Sequence, residues 1–145
     1  MPVLIHKVSA KNTGLLGNVD PDVFDHEIKQ DMLAAYLADK RHAMFVAVED
    51  GMVVGQVRGN IHLQPDRASD LYLDNLGTAT SHQRRGIATQ LVQALVAWGT
   101  AQGCTFVWVA TETDNTGAIL FYEAQHFERI TMEMLAIEIG EPADD

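Results

Sequence analysis

The stretch of this chain best suited to chemistry is Gln83-Arg84-Arg85-Gly86-Ile87-Ala88-Thr89. It lies between an apolar β-type run and an amphipathic run of helical period. A strand therefore ends, a basic turn follows, and a helix begins at a glycine. The first-turn amides of a helix have no partner inside it and carry the positive end of its dipole. Such an end binds anions, phosphate above all. Gly86 lets an anion approach the backbone with no Cβ in the way. Arg84 and Arg85 bring two of the chain's ten Lys and Arg residues to the same place. An ordinary turn with two solvated arginines would read the same, so residue types alone leave both readings open.

Most other chemistries are absent. Ser9, Ser69 and Ser81 are the only serines, and none lies in a G-x-S-x-G turn, which excludes a hydrolase elbow. The six histidines form no H-E-x-x-H, and Cys104 is the one cysteine, so no metal site is expected. Cys104 reads as a structural residue at the start of a buried strand. No G-x-x-x-x-G-K-[ST] run offers a Walker-type nucleotide site.

Periodicity predicts the elements that must hold the basic turn. Residues 3–8 alternate weakly as a strand, and 11–22, with Gly14, Gly17 and Pro21, read as loop or broken helix. A helix is expected over 31–40, then strands over 43–48 and 52–63 joined by Asp50-Gly51, a hairpin signal. A third strand spans 71–80. The long amphipathic helix runs over 86–102 with Gly103 at its C-terminal end. A central strand over 104–111, a short helix over 116–124 capped by Thr113 or Asp114, and a final strand over 130–139 complete the order. This is a mixed α/β (α+β) class, an antiparallel meander leading into one βαβ unit. One domain is expected over 1–140, with a frayed tail at 141–145.

Charge narrows the partners. Ten Lys and Arg stand against twenty Asp and Glu, a net charge of −10 over 145 residues. That balance argues against nonspecific nucleic-acid binding and against an anionic membrane surface. It would attract a cationic small molecule or peptide. No leader-like apolar run and no run near the ~20 residues of a membrane span is evident. One cysteine permits no internal disulfide. A cytoplasmic location is the expectation.

Gln83-x-x-Gly86-x-Ala88, after a strand and before an amphipathic helix, resembles the acyl-CoA pyrophosphate motif (Q/R)-x-x-G-x-(G/A) of the GCN5-related N-acetyltransferases (GNAT). Downstream, Asn115-x-x-Ala118-x-x-Phe121-Tyr122 has the spacing this superfamily places on its last helix. The resemblance spans residues 43–139, and more weakly the N-terminal third. It implies the GNAT fold, a mostly antiparallel sheet whose splayed strand pair holds acetyl-CoA. One departure is His126-Phe127, where the family usually has Gly-Phe. Histidine tolerates left-handed backbone better than most side chains, so that turn is expected to persist.

The resemblance also implies roles. Gln83, Arg84, Arg85, Gly86, Ile87, Ala88 and Thr89 would bind the pyrophosphate. The backbone of Leu76-Gly77-Thr78 would hold the thioester and pantetheine, with Leu76 donating to the carbonyl oxygen. Asn115 and Ala118 would meet the pantetheine arm, and Tyr122 would be the general acid near the sulfur. Tyr122 as a core residue and Asn115 as a helix cap are the plain alternatives. For the base, strand alternation puts Tyr72, Asp74 and Leu76 on one face. A lone carboxylate in an apolar strand is costly, so Asp74 is the first candidate and Glu112 the second, acting directly or through water.

Within the family the chain looks similar to aminoglycoside 3-N-acetyltransferases, through its short length, its His82–Thr89 run and its acidic balance. Asp20, Asp22, Asp25, Glu27 and Asp31 place five acids within twelve positions, offset only by Lys29. The family builds one wall of its acceptor pocket from this region. A polycationic small-molecule amine, an aminoglycoside foremost, is the expected acceptor. A polyamine-like metabolite, a protein or peptide amine, and a silent CoA-binding module are the alternatives. A homodimer is implied by resemblance alone.

Overall fold

Asp50 and Gly51 turn the chain back on itself with both residues at positive φ, 52° and 75°. This mirror-image turn matches the twist of the strands it joins. Those strands are β2 (His42–Glu49) and β3 (Met52–His62). β4 (Asp70–Thr78) extends the antiparallel meander, β1 (Leu4–Lys7) pairs antiparallel on the far side of β2, and β5 (Phe106–Trp108) runs parallel to β4. The sheet order is β1-β2-β3-β4-β5. The helices are α1 (Gln30–Ala38), α2 (Ile87–Ala101) and α3 (Thr116–Ala124), with 3₁₀ turns at Thr13–Gly17 and Thr80–His82. The computed structural model describes residues 2–141. They divide into two compact units, one up to Ala110 and one from Thr111 on. The tail expected at 141–145 lies, from 142 on, outside the described residues.

In the first unit α2 buries Ile87, Leu91, Val92 and Leu95 against the sheet. It lies close because the strand positions beneath it are glycines. A Cβ at Gly59 would stand 2.9 Å from both methyls of Leu95, and one at Gly55 3.0 Å from Leu91 Cδ1. α1 lies over the opposite face, where Tyr36 stacks on His42 at 4.7 Å and its hydroxyl donates to the Ala43 carbonyl at 2.9 Å. No helix of the described residues is long and apolar enough to cross a membrane.

Two expectations are corrected. The central strand expected over 104–111 is the three-residue edge strand β5, with Phe106 exposed. Its apolar run suits a buried strand, but β4 offers it only three partners. The final strand expected over 130–139 does not form among the described residues. Its backbone has no ladder partner, and Ile130, Met132, Met134, Leu135, Ile137 and Ile139 are all exposed.

Candidate active site

β4 and β5 pair only at Asp70–Phe106, Leu71–Val107 and Tyr72–Trp108. Beyond Tyr72, β4 continues to Thr78 against β3 alone, so its other edge lies open. Backbone groups alternate sides along an antiparallel strand. The Ala79 amide donates to the Val54 carbonyl on the β3 side at 2.8 Å. Gly77 therefore also faces β3, and Leu76 and Thr78 turn their N–H groups to the open edge. The two strands splay, and the donors expected at Leu76 lie along the gap.

A bulge lies within this stretch. Arg58 pairs with Asn75 and Gly59 with Leu73, so Asp74 is the extra residue. A bulge breaks the two-residue alternation, which corrects the expected faces. Tyr72 lies opposite Asn60, whereas Leu76 lies opposite Val57 on the α2 side. Asn75 and Gly77 share the α1 face with Gln56, whose Nε2 donates to Asn75 Oδ1 at 2.6 Å and to the Val23 carbonyl at 3.2 Å. Asp74 itself is exposed. Its charge raises the phenol pKa of Tyr36 and of Tyr72, in each case adding to the larger effect of burial, while Arg58 pulls Tyr36 the other way.

The acidic loop is fastened to the same face. Asp22 accepts from the Thr80 hydroxyl at 2.8 Å, and Asp25 from Asn75 Nδ2 at 3.3 Å. Val23 between them is buried. Arg58 lies 6.0 Å from the Phe24 ring centroid. Gln56, Arg58 and Tyr36 were not singled out from sequence. The polar positions Gln56, Arg58, Asn60 and His62, at every second residue of β3, were the signal that could have found them.

Past β4 the chain enters the basic turn. Arg84 and Gly86 both take left-handed backbone, φ 66° and 78°. Nothing lies within 4 Å of where a Gly86 Cβ would be. Gln90 N bonds to Gly86 O at 3.1 Å, so the amides of Gly86, Ile87 and Ala88 precede the first intrahelical bond. The turn and helix end thus form a backbone cradle of the kind that holds anions. The two arginines differ. Arg85 donates to Glu49 Oε2 at 2.7 Å, while His82 Nε2 sits 3.0 Å from Glu49 Oε1. These contacts, with Arg85 foremost, hold the Glu49 carboxyl down at about 2. The Arg85 charge is thereby partly spent within the protein.

An expected result follows for the pair. Arg84→Ala with Arg85→Ala should weaken, at low salt, the CoA binding that the resemblance implies, and the loss should shrink as salt rises. Arg84→Ala alone should account for most of it, because Arg85 is already paired. Calorimetric titration checks this, and unchanged affinity at low salt would remove both side chains from the site.

In the second unit, Asn115 caps α3, its Oδ1 accepting from the Ala118 amide at 3.2 Å. The cap is Asn115 itself rather than Thr113 or Asp114. Tyr122 is buried, with ring centroids at 5.1 Å from Phe121 and 5.3 Å from Phe127. The helix closes as expected, with His126 at φ 71° and the Phe127 amide donating to the Tyr122 carbonyl at 3.0 Å. Glu112 is exposed ahead of the helix and accepts from the Asn115 amide through its carbonyl at 3.1 Å.

The sequence profile of the Acetyltransferase (GNAT) family matches residues 15–127. N-acetyltransferase 8B of Rattus norvegicus is 30% identical over 105 residues, covering 72% of this chain and 47% of that protein. Aminoglycoside N(6')-acetyltransferase type 1 of Salmonella typhimurium is 30% identical over 90 residues, covering 59% of this chain and 62% of that protein. The chain thus spans about half to three-fifths of the length of these relatives. An aminoglycoside acetyltransferase from an uncultured soil metagenomic sample shares the fold at TM-score 0.81 and 22% identity, covering 97% of this chain and all of that one. So does an AAC(6')-Iy enzyme in complex with a bisubstrate analogue, at TM-score 0.80 and 21% identity, covering 96% and 99%. The aminoglycoside relative with a stated position is an N(6') enzyme, not the 3-N type that the sequence resembled. With a splayed β4, a left-handed turn and a helix-end cradle in the matched region, the chain is a member of the GNAT family of acetyltransferases.

Proposed function

We propose that this chain is an acetyl-CoA-dependent N-acetyltransferase that transfers acetyl directly to an amine of a polycationic small molecule, an aminoglycoside foremost. Residues 1–140 act as one catalytic domain, in the cytoplasm and as a homodimer. The observation that carries the reading is the open β4 edge running into the Arg84–Ala88 cradle. Its empty space at Gly86 and its outward amides fit a pyrophosphate.

Bound there, acetyl-CoA supplies an activated acetyl thioester. The chain's residues then have three tasks. The Leu76 amide on the open edge donates to the carbonyl oxygen, where negative charge develops. Asp74, with Glu112 as second candidate, takes the amine proton directly or through water. The Tyr122 phenol delivers a proton to the departing sulfur. Gln83, Arg84, Arg85, Ile87, Ala88 and Thr89 hold the pyrophosphate end, while Gly77, Thr78, Asn115 and Ala118 align the arm.

The acids at 20–31 support a cationic acceptor. Asp22 and Asp25 are held on the α1 face of β4, the face whose tyrosines feel Asp74. Arg58 offsets part of that charge, so the attraction rests on the loop acids. Thiol release from acetyl-CoA over a panel of aminoglycosides, polyamines, monoamines and basic peptides tests the reading. Polycationic aminoglycosides should give the highest kcat/KM at low salt, with KM rising as ionic strength grows. Equal rates for monoamines and polyamines without salt dependence would remove the polycation acceptor. CoA binding without any amine-dependent thiol release would favour a silent binding module.

A further inference from the structure

The basic turn is built around a strained residue. Arg84 holds φ 66°, a left-handed conformation that L side chains keep only where neighbouring contacts over-determine it. Its own side chain is exposed, and the restraint lies in the residues flanking it.

Glu49 holds those residues on both sides. Its Oε1 lies 3.0 Å from His82 Nε2, two residues before Arg84. Its Oε2 accepts from Arg85 Nη2 at 2.7 Å, one residue after it. An ionised carboxylate only accepts, so Nε2 carries the hydrogen of the first contact. The Ser81 hydroxyl stands 2.7 Å from Nδ1 and fixes the other side of the ring. Glu49 is itself anchored. It ends β2, pairs with Met52 across the Asp50-Gly51 turn, and keeps only 17% of its side chain exposed. The two shoulders of Arg84 thus share one carboxylate on a rigid hairpin.

Charge alone gives Glu49 the wrong sign for this place. A carboxylate beside an anion site repels the anion and competes with it for Arg85. Shape is what the contact supplies. We propose that Glu49 is a positioning residue for the cofactor cradle. By holding His82 and Arg85 together it keeps Arg84 left-handed and the amides of Gly86, Ile87 and Ala88 aimed before the cofactor arrives. The proposal rests on the reading of that cradle as the acetyl-CoA site. A cradle formed only part of the time lowers the apparent affinity by the fraction formed. Arg85→Ala leaves His82 on the carboxylate, so the turn stays held from one shoulder.

Calorimetric titration of CoA into wild type, Glu49→Gln and Glu49→Ala tests the sign. Both variants remove the charge, while glutamine keeps one acceptor oxygen for His82 or Arg85. Glu49→Ala should bind CoA about tenfold more weakly, as when the formed fraction falls to about a tenth. Glu49→Gln should lie between it and wild type. The KM for acetyl-CoA should rise by the same factor with kcat kept, because only uniform binding is lost. Equal or tighter CoA binding in both variants overturns the proposal.

Amide hydrogen exchange of the free protein reads the cradle without cofactor. The His82 amide donates to the Ala79 carbonyl at 2.8 Å and the Gln90 amide to that of Gly86 at 3.1 Å, one on each side of Arg84. Both should exchange about tenfold faster in Glu49→Ala, while the amides of β2 and β3 keep their wild-type rates. Unchanged exchange at both overturns the clamp. Faster exchange in a chain whose wild type binds no CoA would place the failure in the cofactor reading instead.

Discussion

Tyr122→Phe is expected to lower kcat by about 10²–10⁴-fold, the usual worth of a positioned general acid. The substitution removes one hydroxyl and leaves the ring that packs at 5.1 Å on Phe121 and 5.3 Å on Phe127. The α3 fold and acetyl-CoA binding should therefore hold. An interaction made only in the transition state lowers kcat and kcat/KM together. Steady-state kinetics with calorimetric titration of CoA separates the two effects. Loss of the acid should also flatten the alkaline limb of the pH–rate profile, a change that a packing defect would not produce. Wild-type turnover across pH would return Tyr122 to the role of a core residue.

The second large effect is structural and reaches the acceptor side. Gly77→Ala should destabilise the protein by about 3 kcal/mol, the upper range for overpacking. For a chain of this length that corresponds to a fall in Tm of about 10 °C. The new methyl would collide with the carbonyl oxygen of Val23 and come within 3.3 Å of Gln56 Nε2. Neither side yields easily. Gly77 is fixed in the β3–β4 ladder opposite Gln56, and Val23 is buried and accepts from Gln56. The accessible relief is to push the 20–25 loop off the sheet, carrying Asp22 and Asp25 with it. Acceptor KM should then rise with the displaced acids, and the KM for acetyl-CoA should rise as well, because Gly77 helps to align its arm, while the pyrophosphate cradle beyond β4 stays in place. Thermal unfolding and the two KM values check this. An unchanged Tm would show that the loop moves freely, and would weaken its role as a fixed wall.

Both predictions rest on parts of the chain that differ in how plainly the residues announce them. Gln83-x-x-Gly86-x-Ala88 could be read directly, because a left-handed glycine before an amphipathic run is local chemistry. Asn115 takes the capping role that its place at the start of α3 allows. His126 takes the left-handed turn expected of it, at φ 71°. The acidic loop was legible as composition, but its attachment was not. Gln56 lies 33 residues from Val23, and no spacing rule connects them.

The sequence by itself determined the order of the elements as far as the short helix over 116–124, the hairpin at Asp50-Gly51, the long helix over its apolar stripe, and the basic turn ahead of it. All of these depend on interactions within a few residues, where propensity, capping and period act directly. Only the tertiary structure decided how far β5 pairs, and hence that β4 opens from Leu73 onward. It alone placed the bulge at Asp74, which moves Leu76 to the opposite face from Tyr72. It also joined Arg85 to Glu49, 36 residues away, and left residues 130–139 without a strand partner among the described residues. A strand's pairing, register and bulges are set by a partner distant in sequence. A period of two cannot encode a single inserted residue.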